Sequence, residues 1–105
     1  MNDRHKIRLD LNSPVFQRAL FLLEKREQNA VLNTFRKLIE MTWEEIYRDP
    51  GLKWEAILSR KGPKGERIYS FRIGKKYRGL AFREGNWLRV LSLHTDHNSA
   101  YEINR

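Results

Sequence analysis

The sequence predicts an α+β fold: an N-terminal strand and a helical hairpin packed on a C-terminal antiparallel β-sheet. Three observations carry that reading. Lys6 to Leu11, "KIRLDL", alternates apolar and polar residues; apolar residues then recur at helical spacing as far as Ile39; and three β-rich runs from Ile68 to Leu93 are separated by short glycine-containing turns. With 105 residues the chain suits one domain spanning 1–105.

In the first strand Ile7, Leu9 and Leu11 share one side. Asn12 and Ser13 precede Pro14, the order of an N-cap followed by proline at the first helical position. Val15, Phe16, Ala19, Leu20, Leu22 and Leu23 then predict an amphipathic helix over 14–26, and Val31, Leu32, Phe35, Leu38 and Ile39 form the stripe of a second. "TWEE" at 42–45 has capping-box spacing and starts a third, short helix that ends by Asp49-Pro50-Gly51. "LKWEAIL" reads as a strand and "RKGPKG" as a loop. The meander follows as Ile68–Ile73, Tyr77–Phe82 and Trp87–Leu93, closed by hairpin-length turns. Tyr69, Phe71 and Ile73 oppose Ile68, Ser70 and Arg72, while Leu80 and Phe82 share a side with Arg78. One face is therefore expected against the helices and the other exposed, with Trp43, Trp54 and Phe71 in the core.

Composition narrows the function classes. Forty per cent hydrophobic and 32% charged residues describe a globular chain. No apolar run approaches the roughly 18–20 residues of a membrane span, and "MNDRHKIRLDLN" lacks the apolar stretch of a signal peptide, so no membrane role and a cytoplasmic location are expected. Without cysteine there is no disulfide and no thiolate metal site.

The net charge of +8 is regional: residues 1–50 carry nine Lys/Arg against eight Asp/Glu, and residues 51–105 carry twelve against five. Arg60, Lys61, Lys64, Arg67, Arg72, Lys75, Lys76 and Arg78 are opposed within their stretch only by Glu66. Such a field suits either a polyanionic partner, bound with strong salt dependence, or a plainly solvated basic surface.

Several chemistries can be weighed on residue types alone. His94, Asp96 and His97 in "LHTDHNSAY" suggest a metal site, but zinc takes three or four ligands and only His5 adds a further imidazole, so no metal or other cofactor is expected. There is no G-x-S-x-G elbow, and "RKGPKG" lacks the full phosphate-loop pattern and a following helix. A basic, partly aromatic surface with histidine and tyrosine nearby suits RNA cleavage by the substrate's own 2′-hydroxyl. That reaction asks for a base, an acid and cations around phosphorus. Arginine grips two phosphate oxygens at once, and histidine exchanges protons near neutral pH.

"YSFRIGKKYRGLAF", a short turn, a strand and "HTDHNSAYEI" resemble the C-terminal half of the RelE/ParE toxin superfamily, whose members carry an R-[IV]-x(3–4)-Y-R strand pair and a C-terminal His- or Arg-containing segment ending in Tyr. The resemblance covers about residues 52–103. It implies a toxin held inactive by a cognate antitoxin, which in the RelE branch is a metal-independent endoribonuclease cutting mRNA on the ribosome. The ParE branch shares the fold, lacks the nuclease residues and poisons DNA gyrase. Carried over, Arg78 matches the arginine on the scissile phosphate and Tyr101 the C-terminal tyrosine. His97 falls where some members have "HHDEAY"-like histidines, the position of a general acid or base. Lys53, Arg60, Lys61, Lys64, Arg72, Lys75 and Lys76 are the candidates for contacting the RNA backbone. "DHNSAY" departs from the acidic pattern, and no glutamate aligns as a partner base. Read without the resemblance, Arg78 pairs with Glu66 or Glu84, His97 caps the turn after the last strand, Tyr101 is a core aromatic and His94 is structural or positions its neighbours.

Overall fold

A computed structural model describes residues 6–95 of the chain. Strand β1 (Arg8–Asp10) leads into helices α1 (Pro14–Phe21), α2 (Lys25–Leu38) and α3 (Trp43–Arg48). Four strands follow: β2 (Glu55–Lys61), β3 (Arg67–Ile73), β4 (Tyr77–Glu84) and β5 (Trp87–Thr95). They form one five-stranded sheet in the order β1-β5-β4-β3-β2. The four C-terminal strands are antiparallel, as the turns predict, whereas β1 joins β5 in parallel with Leu9 opposite Leu88. A parallel pair needs a long crossover, and the three helices together with β2, β3 and β4 supply it.

Ser13 starts α1, its Oγ accepting from the Phe16 N–H at 3.2 Å with Pro14 at the first turn. The helix stops at Phe21 and does not run to residue 26, because the chain must turn before Glu24, whose extended backbone caps α2. Gln28 Nε2 donates to the Leu20 carbonyl across this corner, and the turn lets Phe16 meet Phe35 edge-on at 5.6 Å. Helix α3 begins with the predicted capping box: Thr42 Oγ1 accepts from the Glu45 N–H and Glu45 Oε1 accepts from the Thr42 N–H. Thr42→Ala removes one of these bonds and is expected to lower unfolding free energy by about 0.5–2 kcal/mol, read from the urea midpoint.

Both faces of the sheet are buried near its centre, which corrects the expectation of one exposed face. The helix face holds Phe71, Ile73, Ala81, Leu88 and Val90 against Phe16, Val31, Phe35 and Leu38. Trp43 and Trp54 belong to the same core. On the far face Ile57, Ile68, Leu80 and Phe82 form a second cluster with Leu91 beside it. A shift of register between Ile57 and Lys61 bends β2, and its tip residues Arg60 to Pro63 come to line a groove with Leu91, Ser92 and His94 of β5. Since β4 and β3 lie between β5 and β2 in the sheet, the β2–β3 hairpin must curl across the far face, and that shelters the second cluster.

Candidate nucleic-acid interface

The far face carries the charge as well. Arg72, Arg78 and His94 are direct cross-strand partners on β3, β4 and β5, so their side chains stand in one row on one side of the sheet. Ser70 and Ser92 occupy the next row, either side of Leu80. Arg60 belongs to the same face: Lys61 pairs with Arg67, whose side chain interacts with Tyr69, so Arg60 points the opposite way. Its charge is felt at His94.

Arg78 is held tightly, with only 8% of its surface exposed. One Nη2 donates to Ser70 Oγ at 2.7 Å and to the Lys53 carbonyl at 3.3 Å, and a Glu55 carboxylate oxygen lies 4.0 Å away. Pairing with Glu66 or Glu84 is not what happens. Glu66 turns back to accept from the Lys64 N–H, and Glu84 accepts from Arg89, which also holds Asp10. Lys53 contributes its carbonyl from a left-handed backbone, φ 49°, a region that non-glycine residues seldom occupy. The strain is set by the turn before it, where Asp49 Oδ1 accepts from the Gly51 and Leu52 N–H groups. Its carboxyl sits below the usual range: burial opposes this but is outweighed by Lys37 and the backbone donors together.

His94 Nε2 lies 2.8 Å from Ser92 Oγ. Burial, reinforced by the Arg60 guanidinium, holds the imidazole pKa below its ordinary value of 6.5. Ser13, Val15, Arg60, Pro63, Leu91, Ser92 and His94 border a groove of about 400 Å³ between the hairpin tip and β5.

The basic stretch seen in sequence does not form one patch. Arg60, Arg72 and Arg78 gather on the far face, with Lys61 at the groove and Lys64 in the hairpin turn. Arg67 faces the helix side beside Tyr69. Lys75 and Lys76 lie in the β3–β4 turn against the start of α2, where Lys76 meets Glu27 at 3.6 Å. His97 and Tyr101 fall outside the described residues, as do His5 and Asp96. Among the described residues no three His, Asp or Glu side chains cluster as metal ligands, and no helix is long and apolar enough to cross a membrane.

His94 stands beside Arg78 on this face, a placement that the sequence reading of His94 as structural or positioning did not include. Counting from the Arg72–Arg78 pair could have found it, because the hairpin between β4 and β5 is short enough to fix their register. The Leu80/Ala81 irregularity shifts that register by one residue, and this hides the alignment.

No family model and no curated protein sequence matches the chain. A solved structure does: a chain of the archaeal RelE–RelB complex from Pyrococcus horikoshii OT3 superposes with a TM-score of 0.56 at 19% identity. The match covers 89% of this chain and 96% of that one. The protein therefore has a RelE-like α+β fold.

Proposed function

We propose that this protein is the toxin of a toxin–antitoxin pair, a metal-independent endoribonuclease that cleaves mRNA in the ribosome within the cytoplasm and is restrained by a cognate antitoxin protein. The observation that carries the reading is the row Arg72, Arg78, His94 with Arg60 at its end. Like charges directly opposite across strands repel, so placing Arg72 beside Arg78 favours an anion on that face. A ribose-phosphate chain is such an anion. Its 2′-hydroxyl supplies the nucleophile, so the protein needs only charge stabilisation and proton transfer. Arg78, fixed by Ser70 and the Lys53 carbonyl, faces the phosphorus and stabilises its developing charge. In line with the resemblance to RelE-type toxins, His97 and Tyr101 move protons or hold a base. Arg60, Lys61, Lys64 and Arg72 grip the backbone, with Lys53, Lys75 and Lys76 as outer contacts. The antitoxin partner is supported by the RelE–RelB complex that shares this fold.

One observation favours a second reading, a non-nuclease protein of the same fold acting on DNA gyrase: the Arg78 guanidinium is as well placed to hold strand β4 to Ser70 and the 52–54 turn as to reach a substrate. Adding the purified protein to a translating cell-free system and mapping mRNA 5′ ends decides between them. New ends that appear with the wild type, and diminish as salt rises, support the nuclease. Intact message together with arrested gyrase supercoiling would sink it.

A further inference from the structure

The groove between the hairpin tip and β5 is not needed to hold the phosphate, yet it adjoins the phosphate-facing row at His94. The geometry points to a nucleoside subsite there: the groove receives the nucleoside whose 3′-phosphate lies on Arg78, and His94 accepts the proton of its 2′-hydroxyl. The inference rests on the nuclease reading and assigns a proton acceptor that the family resemblance does not.

Placement comes first. Directly opposed residues of an antiparallel pair have Cβ atoms about 4.5–5.5 Å apart, and His94 is directly opposite Arg78. A phosphate on Arg78 therefore brings the neighbouring ribose alongside the imidazole. The groove has room for that nucleoside: its volume of about 400 Å³ lies within the range of small-ligand sites. Val15, Pro63 and Leu91 give it apolar walls for the sugar and base.

Protonation comes second. Among the described residues, the charged groups facing His94 are Arg60 from β2 and Arg78 from β4, with Lys61 at the groove rim, while the start of α1 contributes Ser13 and Val15. Glu55 stands on the other side of Arg78, opposite Ser70 on β3. With cations nearest and the residue partly buried, the imidazole is held below its ordinary pKa and is neutral at neutral pH, the state a base requires. When Nε2–H donates to Ser92 Oγ, the ring is fixed and Nδ1 presents its lone pair to substrate.

The step then balances. The 2′-oxygen gives its proton to His94 as it bonds to phosphorus. The bond from phosphorus to the 5′-oxygen breaks with its electron pair on oxygen, and that oxygen takes a proton from water. A 2′,3′-cyclic phosphate and a 5′-hydroxyl result, and His94 returns its proton to solvent.

Two measurements test this. In single-turnover cleavage of ribosome-bound mRNA from about pH 5 to 8, the wild type should lose rate on the acid side, with a midpoint below the ordinary histidine value of 6.5, as His94 becomes protonated. His94→Gln should be slower by about 10²-fold or more and lack that acid limb. Independently of turnover and of any effect of the variant on folding, a trinucleotide with a 2′-deoxy residue before the cleavable bond should shift the His94 ring resonances of wild-type protein. A His94→Gln rate within about twofold of wild type while Arg78→Ala is inactive, or an imidazole unmoved by the trinucleotide, overturns the assignment and leaves the nuclease reading standing. Failure of the wild type to cleave overturns both.

Discussion

Arg78→Ala is expected, on the proposed nuclease reading, to slow mRNA cleavage by about 10²–10³-fold, the usual cost of removing a preorganised donor from developing phosphoryl charge. The reason lies in how Arg78 is held. Ser70 Oγ and the Lys53 carbonyl fix its guanidinium before any substrate arrives, so little reorganisation accompanies the reaction. Arg78→Lys keeps the charge but loses the planar fork that can serve Ser70, Lys53 and a phosphate together, and should recover only a small part of the rate. The same contacts make the residue structural. Truncation leaves the fully buried Ser70 hydroxyl without its guanidinium donor, at a cost of about 1–3 kcal/mol. Denaturant unfolding alongside the cleavage assay separates the two roles. If Arg78→Ala loses stability but cleaves at the wild-type rate, Arg78 is a strut and the catalytic assignment fails.

The largest effect on stability is expected where β3 and β4 cross beneath the helices. Phe71, fully buried, packs its ring over Gly79 opposite it, and a Cβ on Gly79 would stand 2.6 Å from the ring edge and 3.1 Å from Ile73. Neither neighbour can retreat, because Phe71 also contacts Phe35 and Trp54 and Ile73 is fully buried. Gly79→Ala should therefore cost about 1–3 kcal/mol through overpacking, and Phe71→Ala about 3–5 kcal/mol through the cavity it leaves. Combining Gly79→Ala with Phe71→Leu should be less damaging than the sum of the single changes, since the smaller side chain makes room for the methyl group. Strict additivity in guanidinium unfolding would show that the two positions do not share this contact.

Much of the fold could be read from local chemistry. Ser13-Pro14 and the Thr42/Glu45 box start helices where the spacing says, because capping bonds are made within four residues. The turns around Gly74 and Gly85, both at positive φ, space the meander correctly for the same reason. What local chemistry does not contain was misread. Leu22 and Leu23 continue a helical stripe in sequence, yet the need to fold α2 back over Phe16 ends α1 at Phe21. The far face reads as solvent-facing in sequence, because the burial of Ile57, Ile68, Leu80 and Phe82 goes with the curl of a hairpin and an irregularity in β2 that no residue pattern announces. The site divides in the same way. Arg78 stood out through its strand pair, whereas the companionship of Arg60 and His94 exists only once β2 is drawn across to β5. His97 and Tyr101, which the resemblance singled out, lie beyond the described residues.

The parallel seating of β1 beside β5 bears on how the chain assembles. Of the described elements β1 is synthesised first and its neighbour β5 last, so the sheet closes through its longest-range strand contact. The face that carries Arg78 and His94 includes β5, which pairs with both β4 and β1. A chain that ends before Trp87 therefore lacks the strand that joins β1 to the sheet and carries His94.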